Sequence, residues 1–172
     1  MFKIPAQKLT ELRDRLRTRG QRPSIVSLAG HLDVAEAMAV VQEYGDMAEV
    51  MYLMMAADHR VRNVEREVMR GALAILSDER VRSAHMEAMI DASARRVARH
   101  GEEACLKRVI ESLRCDPVRA EVTVVLAAAV AVADELVTPE EHALLRRLIT
   151  ELEFDGERVR GTLDELLGSD WA

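Results

Sequence analysis

A ten-residue apolar stretch, VVLAAAVAVA at 124–133, restricts how this chain can fold. It falls well short of the roughly 20 residues that a membrane-spanning helix needs. Its valines would suit a strand, but its alanine content and the Asp116-Pro117 helix start favour a helix over 117–134. A helix that is apolar on all sides is buried on all sides. The rest of the chain is therefore expected to surround it.

The composition indicates a single core built from helices. The chain has 172 residues, 49% of them hydrophobic and only 3% aromatic, so Leu, Val, Ala and nine Met must fill the core. These residues favour close helix packing over sheets. Hydrophobic periodicity predicts further helices at 5–19, 32–44, 63–78, 81–99, 102–114 and 139–153, and a last helix capped by Asp155. We predict an all-α fold.

The segment around Gly45 is predicted to contain a break between two helices. Gly45 would end the first helix, and Asp46 with Glu49 has the spacing of a capping pair that opens a second one. The second helix is rich in methionine. Met51, Met54 and Met55 are predicted to fill gaps in the core, and if exposed they would form an adaptable groove for a partner.

The charge is unevenly distributed along the chain. The net charge is −6, yet residues 1–24 hold seven Lys or Arg against two acidic residues. Nucleic-acid binding is not expected of an acidic chain. The basic start is either a solvated helix face with a loose terminus or an arm that docks on an acidic partner or anionic lipid. With no signal peptide or transmembrane segment predicted, we expect a cytoplasmic protein, with peripheral association at the inner face of the membrane as the alternative.

The two cysteines do not form a recognisable metal or disulfide pattern. Cys105 and Cys115 are ten residues apart and match no metal-ligand spacing. Both are predicted to be buried thiols.

An internal repeat relates two parts of the chain. A shift of 76 residues aligns AADHRVRNVERE at 56–67 with VADELVTPEEHA at 132–143, and the shared pattern is A-D-x-x-V-x-x-x-E. Each copy lies between an apolar helix and an amphipathic one. The aligned acids are Asp58 with Asp134 and Glu65 with Glu141. Few positions outside the pattern agree, so the repeat is one of architecture more than of sequence.

With this repeated motif the chain resembles the TerB-like family of tellurite-resistance proteins, which also includes the N-terminal region of DjlA-type co-chaperones. The resemblance covers 46–168, as two helix-turn-helix repeats at 46–100 and 102–168, and leaves 1–45 as an N-terminal helical extension on or beside the core. It implies a bundle of about seven antiparallel helices with a pseudo-two-fold repeat and no enzyme activity. It also implies a metal-responsive scaffold or adaptor in stress responses, near the membrane.

The chain departs from the family motif at one position in each copy. The family glycine after each aspartate is replaced by His59 and by Glu135. The position suggests a left-handed turn, where a side chain costs on the order of 1 kcal/mol. We therefore expect loops that differ in shape from those of the family.

The carboxylates of the motif have a structural interpretation. In the second copy Thr138 is a predicted N-cap, Pro139 the first helical residue, and Glu141 the acid that reaches back to the Thr138 amide. In the first copy Arg62 replaces the threonine and cannot accept such bonds. Asn63 could cap instead, but the box with Glu65 would then be lost.

The alternative interpretation is a metal site. Asp58, Glu65, Asp134 and Glu141 would be the ligands of Ca²⁺ or another divalent cation, supplemented by backbone carbonyls and waters. His59 or His142 could assist with a softer metal. The spacing does not match an EF-hand.

Three functions follow from these interpretations. The leading hypothesis is a non-enzymatic stress-response scaffold or interaction module with an unidentified protein partner. The first alternative is a metal-dependent hydrolase that uses the same carboxylates; the second is a purely structural oligomerisation domain. No nucleophile, phosphate-binding loop or zinc motif supports the enzyme.

Overall fold

The computed structural model describes residues 6–17, 34–78, 80–133 and 137–154, together with 161 and 164. In these ranges the chain forms seven α-helices and no strand. The helices are α1 (Ala6–Arg17), α2 (Val34–Ala56), α3 (Asn63–Ser77), α4 (Ser83–His100), α5 (Glu102–Arg114), α6 (Pro117–Ala131) and α7 (Pro139–Glu151). The all-α prediction is confirmed. Of the helix predicted after Asp155, only residues 161 and 164 are described, and both are helical.

Helix α6 is the centre of the core, as the apolar stretch predicted. Every residue from Val122 to Ala131 is buried, and α6 packs against α1, α2, α3, α5 and α7. Asp116 caps its start by accepting a hydrogen bond from the Arg119 N–H at 3.0 Å, and Pro117 follows at the first helical position. The lost N–H of proline costs nothing there, because that N–H has no partner within the helix.

Helix α2 is one continuous helix, so the predicted break at Gly45 is wrong. Glycine inside a helix costs about 1 kcal/mol relative to alanine. That cost is offset by the burial of the residues on either side, Tyr44 and Met47. Asp46 does not cap a helix; its carboxylate accepts hydrogen bonds from Ser112 Oγ at 2.7 Å and from Arg119 at 3.3 Å. The proposed domain division at 45/46 stays a prediction, and α2 crosses that position.

Three predicted core methionines of α2 are indeed part of the core. Met51, Met54 and Met55 are all fully buried, which confirms their predicted role as packing residues. No helix among the described residues is long and apolar enough to cross a bilayer.

Helix α1 packs against α3 and α6. Its residues Leu9 and Leu12 are buried, and both terminal nitrogens of Arg15 donate to Glu121, at 2.6 and 2.5 Å. Arg13 lies 3.4 Å from Asp78. Two of the basic residues of the N-terminal segment are therefore neutralised within the chain.

A buried glutamate ties α2 to α4 and α5. Glu49 is completely buried, and its Oε2 accepts hydrogen bonds from Arg96 Nε at 2.6 Å and Arg108 Nη2 at 2.8 Å. Both arginines reach the carboxylate from the surface, so the buried charge is paired. Cys105 lies beside this cluster, where burial and then the Glu49 charge raise the pKa of its thiol. Cys105 is buried as predicted, whereas Cys115 is exposed, so its predicted burial is wrong.

We expect Glu49→Gln to destabilise the fold by about 2 kcal/mol, because two arginines lose their buried counter-charge. The value is below the usual range for breaking a buried pair, since both arginines are partly exposed and can rehydrate. Glu67→Gln is the matched control. Its ion pair with Arg70 is solvent-exposed, and its removal costs less than about 0.5 kcal/mol. Equal losses in denaturant unfolding would contradict the role given to Glu49.

Candidate functional site

The two copies of the repeat form matching helix junctions. The first connects α2 to α3 and the second connects α6 to α7. In each, the motif glutamate occupies the third position of the helix, and Glu65 and Glu141 are both only 1% exposed. We call these the first and second junctions.

The second junction is capped as the sequence predicted. Thr138 is the N-cap and Pro139 begins α7. Thr138 Oγ1 accepts the Glu141 N–H at 3.3 Å, and Glu141 Oε2 accepts the Thr138 N–H at 2.7 Å. These reciprocal bonds satisfy two backbone donors that a helix start would otherwise leave without partners. Val137 is partly buried against the core beside them.

The first junction keeps half of this arrangement. Arg62, not Asn63, is the residue before the helix, so the prediction of an Asn63 cap is wrong. Glu65 Oε2 accepts the Arg62 N–H at 2.9 Å, so the bond that was predicted to be lost is present. The Arg62 side chain has only hydrogen-bond donors, so it cannot accept the Glu65 N–H as Thr138 accepts that of Glu141.

The Arg62 guanidinium bridges the two acidic residues of the first junction. Its Nη2 lies 2.7 Å from Asp58 Oδ2, and its Nη1 lies 3.1 Å from Glu65 Oε1. The remaining Asp58 oxygen accepts the Arg60 N–H at 2.9 Å. Each of the four carboxylate oxygens therefore has a donor, which explains why Asp58 and Glu65 keep their spacing without a threonine cap.

The two junctions are close enough to interact electrostatically. Burial is the main cause that raises the pKa of Glu65. Hydrogen bonds and charge from Arg62 oppose that rise, while the negative charge of Glu141 adds to it. The fold thus places Glu141 within electrostatic range of Glu65, although they are 76 positions apart in the sequence.

The predicted ligands are only partly brought together. Asp58 is joined to Glu65 through Arg62, and Glu141 lies within electrostatic range of Glu65. Asp134 and Glu135 fall outside the described residues. Within the residues that the structure does describe, no three His, Cys, Asp or Glu side chains are grouped so as to hold a metal ion. The first junction does not fit a divalent cation, because a guanidinium already lies between its carboxylates.

The partners of Arg62 were not predicted from the sequence. Its signal was available in DHRVRNVE, where the arginine lies four residues after Asp58 and three before Glu65. Charges at these spacings meet on one side of a helix or its first turn.

His59 has the left-handed conformation predicted for the family glycine position. Its φ is 61°, and its N–H donates to the Ala56 carbonyl at 2.9 Å. The side chain is exposed, so it meets no steric barrier beyond that of its own backbone. The predicted left-handed conformation is therefore present with a histidine in place of the family glycine.

The fold and the junctions define a class of protein: an all-α bundle in which two glutamate-capped helix junctions are repeated within one chain. A family model, described as tellurite resistance protein TerB, matches residues 44–162 and so includes both junctions. The chain belongs to the TerB family. Comparisons with curated proteins and with solved structures give no match.

We expect His59→Val to lower the unfolding free energy by about 1 kcal/mol, since a β-branched residue tolerates positive φ poorly. In a chain of this size that change lowers Tm by about 2–4 °C. Arg60→Val is the control, because Arg60 is exposed and does not have a positive φ. Calorimetry that finds the two variants equally stable would contradict strain at His59.

Proposed function

We propose that this TerB-family chain is a non-enzymatic interaction module of the stress response to metal oxyanions, and that its paired junctions form the functional region. The observation that carries the proposal is the family match, which spans both junctions. The partner is expected to be a protein.

The geometry of the glutamates supports a positioning role. Glu65 and Glu141 are 1% exposed and use their oxygens to hold the starts of α3 and α7. A general base must reach a proton on a substrate, and a carboxylate that is buried in a helix cap does not. This disfavours the hydrolase alternative for these two residues.

An exposed apolar surface beside the first junction supports protein binding. Val61 and Val64 flank the Arg62 bridge and are 41% and 38% exposed. Aliphatic side chains so exposed beside an ordered junction suit a contact with an apolar partner surface. The alternative of a purely structural oligomerisation domain would use the same surface between two copies of the chain.

The proposal of a divalent cation now rests on the second junction. Asp134 and Glu141 remain the proposed ligands, with backbone carbonyls and waters to complete the oxygen set that Ca²⁺ prefers. A bound cation there would fix the turn before α7 and so connect metal availability to the shape of the junction. Asp58 and Glu65 contribute only if Arg62 is displaced.

The proposal is tested by tellurite tolerance in cells from which the gene has been deleted. The wild-type chain is expected to restore growth, and Val61→Glu/Val64→Glu to fail while remaining folded. Met38→Glu is the matched control, because Met38 is 67% exposed on α2 and should retain tolerance.

Two results would contradict the proposal. One is full tellurite tolerance in cells that carry the Val61→Glu/Val64→Glu variant, which would show that this surface is not needed for the function. The other is metal-dependent phosphatase or esterase activity of the purified protein that is lost in Glu141→Gln. That result would favour the hydrolase alternative. Sedimentation of the wild-type chain distinguishes the oligomerisation alternative, which predicts a dimer that the valine variant loses.

A further inference from the structure

We infer that Arg62 is a built-in cation that replaces a metal ion at the first junction, so that this junction is closed to divalent cations. The inference deepens the proposed function, because it assigns any metal response to the second junction alone. It rests on the arrangement of Asp58, Arg62 and Glu65.

The first junction already holds an internal cation between its two acids. Two carboxylates face one guanidinium at 2.7 and 3.1 Å. The Asp58 side chain is 11% exposed and that of Glu65 is 1% exposed, while Arg62 is 30% exposed. The positive group therefore covers the buried acids from the solvent side, where a cation would have to enter.

A metal ion and Arg62 cannot occupy this position together. Ca²⁺ binds carboxylate oxygens at about 2.3–2.6 Å, and the same two oxygens already contact Arg62 nitrogens. Entry of a cation would also place two positive charges side by side in a partly buried site, which is unfavourable. The arginine must leave before a metal can bind.

The second junction shows what the first would be without the arginine. Thr138 occupies the position of Arg62, and its short, uncharged side chain caps α7. Threonine is a preferred N-cap residue. The change Arg62→Thr is therefore compatible with the fold and gives the first junction the same residue as the second.

The experiment is Mn²⁺ titration of the full chain, followed by paramagnetic broadening of backbone amide signals, which detects weak binding at defined residues. In the wild-type protein we expect no selective broadening at 58–65. In Arg62→Thr we expect selective broadening there, reversed by excess chelator and abolished in Arg62→Thr/Asp58→Asn. Arg62→Lys is the matched control, because it keeps a cation in place and should resemble the wild type.

Two outcomes would overturn the inference. Selective broadening at 58–65 in the wild type would show that Arg62 does not exclude the ion. No broadening in a folded Arg62→Thr would show that the vacated carboxylates are not a cation site, so that Arg62 replaces nothing. Signals at 137–141 report the second junction separately, and the tellurite test is independent of Arg62, so failure of this inference is distinguishable from failure of the proposed function.

Discussion

The carboxylates of Glu65 and Glu141 each accept the backbone N–H of the residue before their helix, and this bond fixes where α3 and α7 begin. A backbone donor at a helix start must find a partner, and a buried carboxylate that supplies one also acquires a partner itself. Because both glutamates are buried, the two helix starts are held against the interior. In the turn before α3, His59 has a left-handed conformation.

The two junctions meet the same requirement with different chemistry. The second uses a neutral cap, in which the Thr138 hydroxyl and the Glu141 carboxylate exchange bonds with each other's backbone. The first uses an ion bridge, in which Arg62 joins Asp58 to Glu65. The Thr138 hydroxyl is uncharged, whereas the Arg62 guanidinium brings a positive charge to the first junction. The repeat is therefore asymmetric in electrostatics although it is symmetric in architecture.

Sequence reasoning succeeded where the signal was local or where burial left no choice. The burial of α6 followed from its uniformly apolar composition, and the Thr138 cap followed from the spacing of three residues. It failed where tertiary packing overrode a local rule. Gly45 has the local signature of a helix end, but the burial of Tyr44 and Met47 carries α2 through it. Cys115 was expected to be buried by its residue type, yet it caps the exposed end of α5.

The approach of Glu65 to Glu141 could not be predicted, because it depends on how α3 and α7 are placed around α6. We expect the charges of Glu65 and Glu141 to couple the two junctions. A double-mutant cycle with Glu65→Gln and Glu141→Gln tests it through the unfolding free energies at neutral pH and low salt. If the two like charges repel each other, the loss of unfolding free energy in the double variant exceeds the sum of the two single losses by roughly 0.5 kcal/mol or more. Each single variant already relieves the repulsion, and the double variant can relieve it only once. Additivity within about 0.3 kcal/mol would show that the junctions act independently and would contradict the claim.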